Sequence, residues 1–202
     1  TERCRSGSLG SVKFYGGKGN DHLRGSEGND ILDGGDGTDT IFGRGGDDII
    51  YLGKGPKLGE GNEFVKGGSG NDLIIFNDCG ISQVFGEEGN DVFKFYPCKE
   101  NVHSIAFIRD FEIDNPNEKL DFTEIPHIKS LKDLMMHADT VEIDPSKNVE
   151  HENVIQRETE LKTVPVTALC WQKKPSYDCV YLEEITEEQI NQHPENFIFD
   201  NL

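Results

Sequence analysis

Between residues 7 and 94 an apolar residue returns at the same place in nine successive nonapeptides: Phe14, Leu23, Leu32, Ile41, Ile50, Val65, Ile74, Val84 and Phe93. The frame runs 7–15, 16–24, 25–33, 34–42, 43–51, 58–66, 67–75, 77–85 and 86–94, with insertions at 52–57 ("LGKGPK") and at Phe76. The three residues that close each copy, such as "ILD" or "TIF", are rich in β-branched and aromatic types and too few for a helix. They predict three-residue strands, with the eighth position pointing inward and its neighbours outward. The fourth position is glycine in every copy, from Gly10 to Gly89, which predicts a turn that uses positive φ and close stacking. Two copies then make one flattened coil of turn, strand, turn, strand, and stacked coils build two parallel sheets at about 4.8 Å per step.

Beyond Lys94 the period stops, and a stack left open there would expose its last apolar layer, so a cap is expected over 95–202. "SIAFIRDFEIDNPNEKLDFTEI" (104–125) alternates apolar and polar residues and breaks at Asn115-Pro116, predicting two strands and a turn. "HIKSLKDLMMHAD" (127–139) places Ile128, Leu131, Leu134, Met135 and Ala138 on one helical face, with Ser130 and Asp133 as a capping box. "TVEID", "NVIQ", "VPVTALCW" and "DCVYLEEI" read as strands, "TEEQINQHP" as a helix opened by Thr186 and Gln189, and "ENFIFD" as a closing strand. The expected organisation is an N-terminal extension (1–6), a roll (7–94) and a capping region (95–202). The expected class is all-β: a parallel β-roll or β-helix with a mixed, β-rich C-terminal cap carrying one or two short helices.

Charge narrows the partners. The 202-residue chain carries a formal charge of −18, which excludes nucleic acid and anionic membrane surfaces, because both require clustered Lys and Arg. There is no apolar run of about 18 residues, so no transmembrane segment is expected. The chain starts without Met and reads as a piece of a longer protein. Five cysteines (Cys4, Cys79, Cys98, Cys170, Cys179) show no metal spacing; Cys170 and Cys179 could face one another across a hairpin, though small buried thiols are the expected state.

The sixth position changes the picture. It is Asp21, Asp30, Asp39, Asp48, Asp72 and Asp91 in six copies and Glu63 in a seventh; Val12 and Ser82 occupy the other two. Stacking aligns Asp30, Asp48, Asp72 and Asp91 on one edge and Asp21, Asp39 and Glu63 on the other. Two like charges about 5 Å apart repel by roughly 3 kcal/mol at an effective dielectric near 20. A hard divalent cation between coils removes that repulsion, and carboxylates with turn carbonyls are the oxygen donors Ca²⁺ takes.

"GGKGNDHLR" (16–24) and "GGSGNDLII" (67–75) resemble the GGxGxDxUx nonapeptide of the RTX (repeats-in-toxin) family. The resemblance implies a right-handed roll holding Ca²⁺ between consecutive loops on one edge. Its sites would be Asp21/Asp39, Asp30/Asp48, Asp48/Asp72 and Asp72/Asp91, with Asp39/Glu63 a weaker fifth, hence about four or five ions. The carbonyl ligands it implies come from Gly17, Gly19, Ser26, Gly28, Gly34, Asp36, Gly43, Gly45, Gly67, Gly68, Ser69, Gly70, Gly86 and Glu88. The tail is similar to the region that follows such repeats, through Asp110-Phe111, Glu118-Lys119-Leu120-Asp121 and Phe197-Ile198-Phe199. It implies folding coupled to calcium and an extracellular destination, through type I secretion where the source is bacterial. The cysteines depart from bacterial members of the family.

No catalytic constellation is legible. "HENVI" at His151 lacks the second histidine of a zinc protease, and there is no P-loop, no G-x-S-x-G and no EF-hand loop. The six histidines are scattered. Glu112, Asp114, Asn117 and Glu118 read as a solvated acidic turn, and Trp171 and Tyr177 as a core residue and a turn residue. Three function classes follow: a monomeric, non-enzymatic calcium-dependent folding module of a larger secreted toxin, enzyme or adhesin; a calcium-rigidified module that binds a polysaccharide or another extracellular ligand or surface; and a calcium sensor.

Overall fold

The computed structural model describes residues 3–5, 10–53, 62–77, 80–97, 104–135, 139–142, 165–170 and 178–200. Every copy of the nonapeptide contributes one strand. These are β2 (Lys13–Tyr15), β3 (His22–Arg24), β4 (Ile31–Asp33), β5 (Thr40–Gly45), β6 (Ile49–Tyr51), β7 (Asn62–Ser69), β8 (Leu73–Phe76), β9 (Ile81–Glu88) and β10 (Val92–Phe95). A further strand, β1 (Arg3–Arg5), pairs with β3 and sets Cys4 opposite Leu23, so the stack already begins within the N-terminal extension.

Strands alternate between two sheets. The first sheet runs β1-β3-β5-β7-β9 and the second β10-β8-β6-β4-β2, all parallel, with partners 18, 19 or 24 residues apart. Eighth-position residues meet between them: Leu23, Leu32, Ile41, Ile50, Val65, Ile74, Val84 and Phe93 are fully buried. Phe14, in the outermost coil, is only half-buried. The architecture is a parallel β-roll whose core is a single file of apolar side chains from each sheet.

The capping region extends both sheets. β11 (Ser104–Ile108) adds to β9 and β12 (Lys119–Asp121) to β10, both parallel, with turns between them as the Asn115-Pro116 break predicts. β15 (Asp178–Glu183) continues the first sheet, which then turns antiparallel through β14 (Pro165–Cys170) and β13 (Asp139–Glu142). β16 (Phe197–Ile198) closes the second sheet against β12. Helix α2 (Glu187–Gln192) opens with the expected Thr186/Gln189 capping box.

Three local expectations change. The described helix around Ser130 is only α1 (Leu131–Met135), because 125–130 fold into turns closed by the N–H groups of Ile128 and Asp133. The closing segment gives two residues of strand, since Pro194–Asn196 form a 3-10 turn first. Cys179 is disulfide-bonded rather than a free thiol, and its register partner is Cys170. "NVIQ", Trp171, Tyr177, His103, His137 and His151 lie outside the described residues.

The two loop edges differ. On one, the first position passes from Gly16 and Gly34 to Leu52, Phe76, Phe95, Phe122 and Phe199, all in strand register. Leu52 and Gly53 therefore stand level with Gly34 and Gly35, inside what the sequence frame counts as an insertion. The phenyl rings stack: Phe76 on Phe95 at 4.6 Å, Phe95 on Phe122 at 5.0 Å and Phe122 on Phe199 at 6.0 Å. On the other edge the first position stays glycine through Gly25, Gly43, Gly67 and Gly86 and ends at Asp110.

Candidate metal centres along the loop edges

The sixth-position carboxylates are buried. Asp30, Asp39, Asp48, Asp72 and Asp91 are 1% exposed, Glu63 2% and Asp21 4%. An ionised carboxylate taken out of water needs donors or a cation. One oxygen has its donor: Oδ1 of Asp30, Asp39, Asp48, Asp72 and Asp91 accepts the backbone N–H of the sixth residue one coil earlier. The distances are Val12 N to Asp30 2.7 Å, Asp30 N to Asp48 2.8 Å, Asp48 N to Asp72 2.8 Å and Asp72 N to Asp91 2.8 Å. On the other edge Asp21 N donates to Asp39 Oδ1 at 2.7 Å.

At two of them the second oxygen does not. Asp48 Oδ2 and Asp72 Oδ2 are buried with no hydrogen-bond partner. Each points to the space where a Cβ on the first glycine of its own loop would sit, and the first carbonyl of the next coil points there too. At Gly43 the converging atoms are Asp48 Oδ2 and the Gly67 carbonyl; at Gly67 they are Asp72 Oδ2 and the Gly86 carbonyl. The same pairing recurs for Asp21 with the Gly34 carbonyl, Asp30 with Gly43, and Asp39 with Leu52. At Asp48 and Asp72, a carboxylate oxygen with no hydrogen-bond partner converging with a carbonyl oxygen is an arrangement that a cation completes. Among the described residues no three His, Cys, Asp or Glu side chains converge, so a cation here must draw on backbone carbonyls, as calcium readily does.

Asp30 differs. Ser26, at the second position, donates its N–H to Oδ2 at 2.5 Å and its hydroxyl to Oδ1 at 2.9 Å, so protein donors already engage this carboxylate.

Burial is the largest influence on the acidity of Asp48, Asp72 and Asp91. It pushes Asp48 up to about 7 against the pull of the Asp30 N–H, and the neighbouring Asp72, Asp30 and Asp47 charges push the same way. Asp72 also rises to about 7, again mainly through burial, and Asp91 to about 6.

The other implied carbonyl ligands serve the stack as well. Those of Asp36, Ser69 and Glu88 accept N–H groups of Gly19, Gly46 and Gly70 at 2.6, 2.9 and 2.8 Å, and that of Gly17 accepts Asp36 N–H at 2.5 Å. Each keeps a second lone pair. The Gly28 carbonyl accepts the Ser26 hydroxyl at 3.2 Å. The carbonyls of Gly19 and Gly70 face Gly37 and Gly89, those of Gly35 and Arg44 face Gly53 and Gly68, and Gly45 pairs with Ser69 across β5 and β7.

Sequence reasoning overlooked the fifth position. Asn29 Oδ1 accepts Asp47 N–H at 3.0 Å, Asp47 Oδ1 accepts Asn71 N–H at 2.8 Å and Asn71 Oδ1 accepts Asn90 N–H at 3.0 Å. This ladder reaches from each coil to the next, whereas the sixth-position ladder reaches back. Its signal was legible as Asn20, Asn29, Asn71 and Asn90 preceding the aspartate.

The acidic turn is also not uniformly solvated. β12 carries Glu118 into register above Asp91, where it is 4% exposed and, chiefly by burial, pushed up to about 8; Glu112, Asp114 and Asn117 stay exposed. Asp110 accepts the N–H groups of Gly86 and Glu87, both at 3.0 Å, and so closes the last glycine turn.

A parallel roll that stacks buried acidic side chains in columns along its loop edges, beside backbone carbonyls of the next coil, defines a repeat protein of stacked coils. The family model described as RTX calcium-binding nonapeptide repeat (4 copies) matches residues 6–41, 24–55 and 59–75, and the chain carries these repeats. Calcium is the ion that such repeats bind. No curated protein matches the chain.

Proposed function

We propose that residues 7–94 form a calcium-responsive roll that folds as it binds four or five Ca²⁺ ions. In this reading 95–202 cap the roll, and the whole is a non-enzymatic module of a larger secreted protein. The sites are Asp21/Asp39, Asp30/Asp48, Asp48/Asp72 and Asp72/Asp91, with Asp39/Glu63 the fifth. The observation that carries the reading is the convergence of Asp48 Oδ2 with the Gly67 carbonyl, and of Asp72 Oδ2 with that of Gly86. A Ca²⁺ ion supplies the positive charge between such oxygens. The chain's part is to hold the carboxylates in place through their Oδ1 bonds and to exclude water. Ser26 lowers the demand for a cation at Asp30, and at the fifth site Glu63 is longer than an aspartate and the 52–57 insertion intervenes, so these two sites are the weaker ones.

Secretion fits this design, because a roll that folds only with calcium stays unfolded where calcium is scarce. Calorimetric titration tests the proposal. An extracellular module binds at about 10⁻⁴–10⁻³ M, and saturation at about 10⁻⁷–10⁻⁵ M would point to a sensor instead. Fewer than two ions bound would contradict the site assignment.

A further inference from the structure

We infer that Ser26 stands in for the cation at Asp30, so that the loops of 25–33 and 43–51 lock together without metal and the Asp30/Asp48 ion enters only after the roll has folded. The inference rests on the proposed function and divides its ions into those that fold the roll and one that does not.

The second position of the nonapeptide makes the difference. Gly17, Gly35 and Gly68 hold it with φ of 94°, 91° and 122°, and Arg44 and Glu87 with φ of 90° and 71°. Ser26 holds the same position on the ordinary side of the backbone map, since Arg44, Glu87 and Glu184 are the non-glycine residues of positive φ among those described. With that backbone the Ser26 N–H points into its own loop and reaches Asp30 Oδ2 at 2.5 Å. At Asp48 and Asp72 the second-position residues are Arg44 and Gly68, both of positive φ, and there Oδ2 has no hydrogen-bond partner. Backbone sign and carboxylate satisfaction change together along one column.

The Ser26 hydroxyl completes the substitution. It donates to Asp30 Oδ1 at 2.9 Å, accepts the Gly28 N–H at 3.1 Å and is fully buried. Asp30 Oδ1 also accepts the Val12 N–H at 2.7 Å. Three donors thus hold the Asp30 carboxylate, which keeps a charge out of water with no cation. The next loop is tied on by bonds that need no metal either: Asp30 N–H to Asp48 Oδ1 at 2.8 Å and Asp47 N–H to Asn29 Oδ1 at 3.0 Å. Glu27 pairs with Arg44 across the same step, a surface ion pair that adds little.

An ion entering between Asp30 Oδ2 and the Gly43 carbonyl meets the positive end of the Ser26 N–H and must displace it. Ser26 is 0% exposed, so the displaced N–H finds no water, and the ion's affinity falls by that cost.

The test is a calcium titration of the full chain, read by calorimetry and far-UV circular dichroism on the same samples. In the wild type the strand signal should reach its plateau before the last ion binds. That ion should bind roughly tenfold more weakly than those bound at the plateau, with no spectral change. Ser26→Gly, which restores the residue found at Gly17, Gly35 and Gly68, should move one ion from the late phase into the folding phase at an unchanged total. An ion held back at Asp39/Glu63 stays late in that variant. Ser26→Ala keeps the N–H and loses the hydroxyl, so the late ion should stay separate and tighten about two- to fivefold. A single wild-type binding phase that coincides with folding overturns the inference, as does a late phase that Ser26→Gly leaves unchanged. Where Ser26→Gly does not fold, a late ion unmoved by Ser26→Ala overturns it. A roll already folded in EDTA contradicts the folding proposal alone; the same titration then reads whether one site is the weaker and whether Ser26→Gly brings it level.

Discussion

Asp48 and Asp72 stand one coil apart in the same column, joined by a 2.8 Å hydrogen bond from the Asp48 N–H to Asp72 Oδ1. One oxygen of each carboxylate thus locks the stack, and the other waits beside a glycine carbonyl. The metal-free roll and the calcium-bound roll therefore make opposite demands on the same side chain.

Replacing Asp72 by Asn separates those demands. The amide keeps an Oδ1 acceptor for the Asp48 N–H and turns a donor toward the Gly86 carbonyl, but it removes the charge. D72N should lose the Asp48/Asp72 and Asp72/Asp91 sites, while without calcium it should be more stable than wild type by about 1–3 kcal/mol, the cost of the unsatisfied buried oxygen. Far-UV strand content in EDTA and thermal melts in calcium check both signs; less strand in D72N than in wild type in EDTA would count against the account.

Acid should partly replace calcium. The folded-state values of Asp48 and Asp72 are raised from 3.8 to about 7, so the folded chain binds protons more tightly than the unfolded chain. The resulting stability is fully present below about pH 4 and is lost as pH rises through about 7. Strand content of the metal-free chain should grow between pH 8 and 5, whereas calcium affinity should fall over the same interval because the ion needs both carboxylates ionised. Parallel pH and calcium titrations followed in the far-UV would detect either trend failing.

Gly67→Ala should cost more than its backbone change. The added methyl group would meet Asp72 Oδ2 and the Gly86 carbonyl at the point where they converge. Overpacking of about 1–3 kcal/mol is expected, together with loss of at least one bound ion. Gly10→Ala, where a Cβ would meet nothing within 4 Å, is the control and should titrate like wild type.

Where the glycine column gives way to phenylalanine, packing replaces metal. Phe95 is 1% exposed and lies between Phe76 and Phe122. Phe95→Ala should destabilise the chain by about 3–5 kcal/mol at saturating calcium with no change in the number of ions bound. Denaturant melts and calorimetry decide between that outcome and a joint loss of both.

The strands of the roll were legible because a strand of three residues needs only one inward apolar side chain, and Leu32 or Ile50 at a fixed phase declares it. The aspartates were legible because stacking a charge on its own repeat has few physical solutions. Leu52 and Phe76 were not, because an insertion in sequence does not say which of its residues keep the register. Their places follow only from pairing with Gly34 and Phe95. Glu118 looked like one more solvated acid, since nothing local says that β12 will carry it above Asp91. The Cys179 disulfide is not legible in the sequence, because sequence alone does not fix how β14 and β15 pair.

The most direct measurement is far-UV circular dichroism of the full chain across a calcium titration, with EDTA as the starting point and neutral pH held constant. The account predicts little strand signal in EDTA and a cooperative rise with calcium that magnesium does not reproduce. A strand spectrum of equal strength in EDTA and in saturating calcium would contradict it.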